Sequence, residues 1–308
     1  MDSVAFEYRK SLFLNCLYLP VTKIQRMFLT ECPRDAMQGW GEFISTQNKI
    51  DYINLLLGVG FDVLDCGSFV SPKAIPQMAD TSDVLKNLDR SGSDTSLSVI
   101  VANIRGAEKA LAHSNVDIIG FPFSISETFQ YRNTNKNQQQ AFEQILKIND
   151  LVKTDNRNLN VYFSMSFGNP YGEKWTLDQL IVWGKRFRDA GILNIQLSDT
   201  IGAATVEQIS LVFEQMQRQV PEISFGAHFH NRYEDSNAKI QAAYQSGCRK
   251  FDSAIKGIGG CPMAKDELVG NMPTEQLVNF MAVNKIKHNL NLLHFESAYN
   301  KAKDIFKF

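Results

Sequence analysis

Eight short apolar runs, each separated from the next by a longer segment of helical period, constrain this chain more than any other feature. The runs fall at 27–30, 62–64, 96–101, 116–120, 160–164, 194–197, 224–228 and 250–254. Helical stretches lie between them, among them 46–57, 126–153, 176–190, 206–219 and 234–246, and the polar stretch 133–140 reads as a loop running into a helix. Such alternation is the pattern of a parallel sheet wrapped by helices, since parallel neighbours are reached only through a crossover. Gly60, Gly191 and Gly247 each close a helix just before a strand, where a C-terminal cap favours left-handed backbone. Eight strands favour a closed barrel over an open sheet, and the first strand is followed by no Gly-rich phosphate loop. The expected fold is therefore an α/β (β/α)8 TIM barrel over residues 26–285, with an N-terminal extension over 1–25. A C-terminal helical region over 286–308 packs on the barrel, and helical patterns at 274–282 and 290–303 supply the extra helices.

Composition narrows the function classes. The 308 residues are 44% hydrophobic and 21% charged with a net charge of −1, the profile of a soluble globular protein. No basic tract suits nucleic acid, and no apolar run approaches the ~20 residues that span a bilayer. The cysteines (Cys16, Cys32, Cys66, Cys248 and Cys261) are odd in number and scattered without a CxxC pair, which argues against a disulfide framework or structural zinc and for a cytoplasmic setting. The run Leu12 to Leu19 is interrupted by Asn15 and lacks a small-residue cleavage site, so it reads as an extension that packs on the fold.

The side chains with chemistry fall at strand ends. Arg34 and Asp35 follow the first strand, Asp65 and Ser68 the second, and Asp199 and Thr200 the sixth. His228 and His230 end the seventh, while Cys261 and Asn271 lie in the loop after the eighth. Strand ends of a barrel open onto one face, so these residues converge on one cavity. Residues two apart on a strand share a side, so His228 and His230 can hold one divalent ion. A carboxylate, two imidazoles and an amide oxygen make a mixed nitrogen and oxygen site that suits Mg²⁺ or Mn²⁺ and leaves Co²⁺ and Zn²⁺ open. The same residues also fit a plainer reading, in which Asp35 and Asp199 cap helices, Asn271 is a turn residue after Gly270, and Cys261 is a small buried residue.

Several motifs in order along the chain resemble the metal-dependent lyases and Claisen-type synthases built on a (β/α)8 barrel. They are Pro33-Arg-Asp-Ala-Met-Gln38, Ser68-Phe-Val-Ser-Pro-Lys-Ala-Ile-Pro-Gln-Met78, Ser198-Asp-Thr-Ile-Gly202, His228-Phe-His230, Gly257-Ile-Gly-Gly-Cys-Pro262 and Gly270-Asn271. The set is most similar to the 3-hydroxy-3-methylglutaryl-CoA lyases. The resemblance implies cleavage of the carbon–carbon bond beside a tertiary alcohol, of 3-hydroxy-3-methylglutaryl-CoA or a related branched 3-hydroxyacyl-CoA, to acetyl-CoA and acetoacetate. It implies Asp35, His228, His230 and Asn271 as ligands of a divalent metal, and Arg34, Cys261, Asp199 and His228 as catalytic residues. In this reading Arg34 stabilises the developing enolate and Cys261 protonates it from a Gly-rich loop with hinges at Gly257, Gly259 and Gly260. Gln38, Asp65, Ser68 and Thr200 are implied to surround the substrate. The partner is an acyl-CoA, with no nucleic acid or membrane, and a homodimer joined through the C-terminal region is expected. The alternatives are a Claisen-type synthase that uses acetyl-CoA, which has no need of Cys261, and a non-catalytic acyl-binding barrel.

The chain also departs from the lyase pattern. Asp65 stands where the lyases carry glutamate, a reach shorter by ~1.5 Å. Gly39-Trp40-Gly41 replaces Asn-Glu-Lys, removing a cation from the mouth of the site and adding bulk there. Ser198, Asn169-Pro170, Phe229 and Asn231 differ as well. These changes bear on the substrate surround and leave the expected metal ligands untouched.

Overall fold

Eight parallel strands close on themselves in the computed structural model, which describes residues 26–260 and 269–308. They are β1 (Phe28–Glu31), β2 (Val63–Ser68), β3 (Ser96–Ile100), β4 (Ile118–Ser124), β5 (Asn158–Ser164), β6 (Asn194–Asp199), β7 (Ser224–Asn231) and β8 (Lys250–Ser253). Each pairs with the next, and β8 pairs back onto β1, so the barrel leaves no open edge. The expected (β/α)8 fold is what is found, with helices at the C-terminus. The expected C-terminal caps are present too: Gly60, Gly191 and Gly247 sit at φ 83, 70 and 91°.

Alternation along the strands divides two environments. Leu97 and Val99 of β3, Phe121 and Phe123 of β4 and Val161 and Phe163 of β5 are fully buried between barrel and helices. Phe123 meets Trp183 and Phe187 edge-on and Phe163 meets Phe187 likewise, with Phe123 to Trp183 centroids 4.6 Å apart, a geometry that adds ring electrostatics to area burial. Their strand neighbours point inward. Ser98, Tyr162 and Gln196 line a hollow at the N-terminal end, and Tyr162 also reaches the cavity at the C-terminal end. The barrel interior is thus polar, which is what lets it carry buried charge below a site.

The stretch 126–153 is two helices rather than one. The first, α1 here (Glu127–Thr134), is closed by Asn135 in the left-handed region, and α2 (Gln138–Thr154) opens with a capping box between Asn137 and Gln140. The break falls inside the polar stretch 133–140, as a loop running into a helix, and the caps on either side fix its ends. β4 runs past the expected end at Gly120 to Ser124 through Pro122, which lines the cavity.

At the C-terminus, α3 (Leu292–Phe306) lies against α4 (Thr46–Val59). The Trp40 ring meets Phe306 edge-on at 5.3 Å. Trp40 therefore packs onto the C-terminal helix and does not crowd the cavity mouth, contrary to the expectation. Gln77, buried, holds the same turn, donating to the Trp40 and Glu42 carbonyls and accepting from Ile44 N–H. No helix among the described residues is long and apolar enough to cross a membrane.

Candidate active site

A cavity of about 410 Å³ opens at the C-terminal end of the barrel, where the strand-end argument placed it. Arg34, Asp35 and Gln38 enter it from a short helix, Pro33–Gln38, that begins directly after β1. Pro33 suits that first helical position because its missing N–H would be unpaired there anyway. Ser198 and Thr200 at the end of β6, His228 and His230 of β7, and Tyr162 and Ser164 of β5 form the facing wall.

Asp35, His228 and His230 each present a donor atom, and these atoms all lie within 4.8 Å of one another. His230 Nε2 stands 3.8 Å from Asp35 Oδ2, too far for a hydrogen bond, and both atoms are buried without a partner among the described residues. Two orphaned buried polar atoms facing each other are costly unless something bridges them. A divalent cation is the natural bridge for a carboxylate and two imidazoles. The other nitrogens are already committed: His230 Nδ1 is 2.9 Å from the Thr200 carbonyl and His228 Nδ1 is 3.1 Å from Asp252. Each ring so held turns Nε2 toward the cluster.

Asn271 reaches the cluster by a separate route. A two-residue strand, β9 (Gly270–Asn271), runs antiparallel to β7 and sets Asn271 opposite His230. Its amide donates to the Ile258 carbonyl and lies within reach of Asp35. Gly259 has φ 99°, and a Cβ there would sit 2.6 Å from the Asp35 carbonyl and 2.7 Å from Asn271 Nδ2. Glycine is required here for close approach to two candidate ligands, a reason beyond hinge freedom.

Electrostatics sort the groups. Burial works against the Arg34 charge, but Asp65 and Asp35 outweigh it, so the guanidinium keeps its proton. Arg34 grips Asp65 through Nε and Nη2 and reaches Asp35 from Nη1 at 2.8 Å, which leaves N–H donors on both Nη atoms for the cavity. Asp35 is pushed up by burial, yet Arg34 and the two imidazoles hold it below the usual carboxylate range. Burial, and then His228, push His230 down to about 4, so it is neutral near pH 7. His228 moves the other way: Asp252 overrides burial and makes the ring more basic.

Not every expected site residue is brought in. Asp199 points to the outside of the barrel, where its carboxylate accepts from Lys239 at 2.8 Å and from Ala204 N–H at 3.1 Å. The catalytic role expected for Asp199 is corrected on this geometry, because Ser198 and Thr200 face the cavity and period-2 alternation turns the residue between them away. Ser68 accepts from Val70 N–H and borders a separate hollow, so it does not surround the main cavity. Asp65 is fully buried behind Arg34, so it does not line the cavity and meets it only through the Arg34 guanidinium. Gln38 and Thr200 do line the cavity, and Gln38 donates to Asp35 at 2.5 Å. Cys261, like the extension over 1–25, lies outside the described residues. His228 was expected both to ligate metal and to act catalytically, but with Nδ1 on Asp252 only Nε2 remains, which suits the ligand role. Sequence reasoning missed Asp252 and Tyr162, although each alternates in register with residues that face inward.

The comparisons bear on the family and the fold. The HMGL-like family model matches residues 27–301. The hydroxymethylglutaryl-CoA lyase YngG of Bacillus subtilis is 34% identical over 266 residues, covering 86% of this chain and 88% of that protein. The human mitochondrial hydroxymethylglutaryl-CoA lyase is 31% identical over 268 residues, covering 87% and 82%. Among solved structures, an HMG-CoA lyase from Acinetobacter baumannii in complex with coenzyme A and 3-methylmalate superposes with a TM-score of 0.86 at 29% identity, covering 94% of this chain and 93% of that one. One model spanning nearly the whole barrel, with relatives matched over most of their length, leaves one conclusion: the chain belongs to the HMGL-like family.

Proposed function

We propose that this chain is a divalent-metal-dependent carbon–carbon lyase that cleaves 3-hydroxy-3-methylglutaryl-CoA to acetyl-CoA and acetoacetate. The observation that carries the reading is the pair of orphaned atoms, Asp35 Oδ2 and His230 Nε2, facing each other beside the free donors of Arg34. Relatives named as hydroxymethylglutaryl-CoA lyases at 31–34% identity support it.

Asp35, His228, His230 and Asn271 would hold the cation, with Mg²⁺ or Mn²⁺ favoured by a ligand set of nitrogen and oxygen alone. When bound, such an ion supplies Lewis acidity to the hydroxyl and carbonyl oxygens of the substrate. The chain does the rest. Gln38 and Arg34 fix Asp35, and Asp65 fixes the plane of Arg34, so the ligands and the oxyanion donors share one frame. Water in the cavity, acting as the base, would take the hydroxyl proton as the adjacent carbon–carbon bond breaks and its electron pair moves into a thioester enolate. Donors preorganised in a dry site stabilise such charge far better than water does, and the planar fork of Arg34 suits the enolate oxygen. Cys261 is the proposed donor of the proton that turns the enolate carbon into the methyl group of acetyl-CoA. Asp199 has no part in these steps.

Acetoacetate and acetyl-CoA released from 3-hydroxy-3-methylglutaryl-CoA, with Mn²⁺ present and with chelator as control, test the reading. The expected result is metal-dependent release that falls by several orders of magnitude in Cys261→Ala. Retention of most of the rate in that variant would point to synthase chemistry, and a tight complex without turnover to an acyl-binding barrel. Assaying other branched 3-hydroxyacyl thioesters alongside sets the acyl specificity.

A further inference from the structure

Asp252 lies on β8 with its side chain 1% exposed. The barrel's own register explains its neighbours. β7 and β8 pair with His228 beside Asp252, and β6 and β7 pair with Gln196 beside Gly226. Paired residues of adjacent strands share a face, and so do residues two apart on one strand, so Gln196, His228 and Asp252 all project into the barrel interior. One Asp252 oxygen stands 3.1 Å from His228 Nδ1, and the other accepts from Gln196 Nε2 at 3.1 Å. Gly226 makes room for that amide, because a Cβ there would fall 1.7 Å from Gln196 Oε1.

We propose that Asp252 is a positioning residue for the metal centre: it holds His228 in the tautomer protonated at Nδ1 and aims Nε2 at Asp35 and His230. The inference rests on the function proposed above. A neutral imidazole has one N–H and one lone pair, and a carboxylate can only accept. Facing Asp252, Nδ1 carries the hydrogen, and the lone pair is left on Nε2. Gln196 in turn keeps the carboxylate from rotating away.

A rival use of the same atoms exists, since Cys32, His228 and Asp252 also lie close enough together to hold an ion through Nδ1. The Cys32 thiol is aimed instead at the Thr30 carbonyl, 3.9 Å away. Burial and the charges of Asp252, Asp65 and Asp35 push that thiol well above its ordinary range, which works against a thiolate ligand.

The test compares the full chain with Asp252→Asn, whose amide both donates and accepts and so no longer dictates the tautomer. Mn²⁺ binding is read from the free-ion EPR signal, and the ring tautomers from ¹⁵N NMR of histidine-labelled, metal-free protein. The expected result is one Mn²⁺ per wild-type chain, held about 10- to 100-fold more weakly in the variant. The His228 ring should lose its single tautomer, while His230, held by Thr200, should not change. If Asp252→Asn is not recovered folded, Gln196→Leu carries the test, with an expected loss of at least about threefold. Wild-type affinity together with a wild-type tautomer in the folded variant overturns the inference. So does loss of a second equivalent of metal with the first unaffected, which would favour the Cys32 site. A wild-type chain that binds no Mn²⁺ or releases no acetoacetate would sink the proposed function itself, a result distinct from either.

Discussion

Replacing Gly259 with alanine tests how the Gly-rich turn after β8 bears on the site. The backbone there has φ 99°, a conformation that costs a side-chain-bearing residue about 1–3 kcal/mol. The new methyl would also fall 2.6 Å from the Asp35 carbonyl oxygen, 2.7 Å from Asn271 Nδ2 and 2.9 Å from Ala36 Cα. Two of these three are backbone atoms of the helix that carries Arg34 and Asp35, so no rotamer change relieves the overlap. Relief requires Asp35 and Asn271 to separate, and a displacement on the order of 1 Å at a reacting constellation costs roughly 100-fold. The expected outcome is a fall in thermal midpoint of a few degrees and Mn²⁺ affinity lower by at least about tenfold, or ~1.4 kcal/mol. Gly39→Ala is the control, because its φ is −97° and no atom lies within 4 Å of the added carbon. Calorimetry and Mn²⁺ titration of the two variants read both effects. A Gly259→Ala protein with wild-type metal affinity would refute the argument that this glycine spaces two ligands.

Three further outcomes are expected. Arg34→Lys keeps a positive charge but loses the fork shared among Asp65, Asp35 and the cavity, so kcat should fall about 10²- to 10³-fold; a loss confined to KM in steady-state kinetics would contradict this. Lys239→Met leaves Asp199 buried without its cation and should destabilise the fold by about 3–5 kcal/mol in urea unfolding, whereas an unchanged midpoint would reopen a role for Asp199 in the cavity. Glu31, pushed up to about 8 from 4.5 by burial, favours its protonated form in the folded chain. Its stabilising contribution is complete below pH 4.5 and is lost as pH rises through 8, so Glu31→Gln should gain on wild type by on the order of 4 kcal/mol between pH 5 and 8, read from paired unfolding curves.

The barrel was legible because its signals are local and repeated. The helix read at 206–219 coincides with Val206–Gln219, where an apolar period of 3.6 meets a Thr205 cap. The break near Asn135 was legible as the polar stretch 133–140, whereas the exact ends of the two helices were not, because they depend on the caps at Asn135 and Asn137. At the site, His228 and His230 could be found from spacing alone, since strand alternation carries both to one side. Asp199 shows the converse: its place in a strand-end motif suggested chemistry, whereas alternation from Ser198 already turned it toward Lys239. Asp65 has a shorter reach than the glutamate of the lyases, and that reach suffices because it needs only to meet Arg34, which covers the remaining distance. Asp252 and Gln196 stayed hidden for a different reason. Their importance comes from the stagger of three strands, a quantity set by barrel closure and not by any window of sequence.

The two residues of β9 have an outsized bearing on how this architecture can change. Met272 N–H donates to the Phe229 carbonyl and Ala254 N–H to the Met272 carbonyl, so the far foot of the last loop is stitched into the sheet next to His230. The near foot is fixed at Gly259 against Asp35. A change at Gly259 or at residues 270–272 is therefore passed straight to the candidate ligands Asp35, His230 and Asn271. These few residues are thus less free to vary than their small number and distance in sequence from Asp35 suggest.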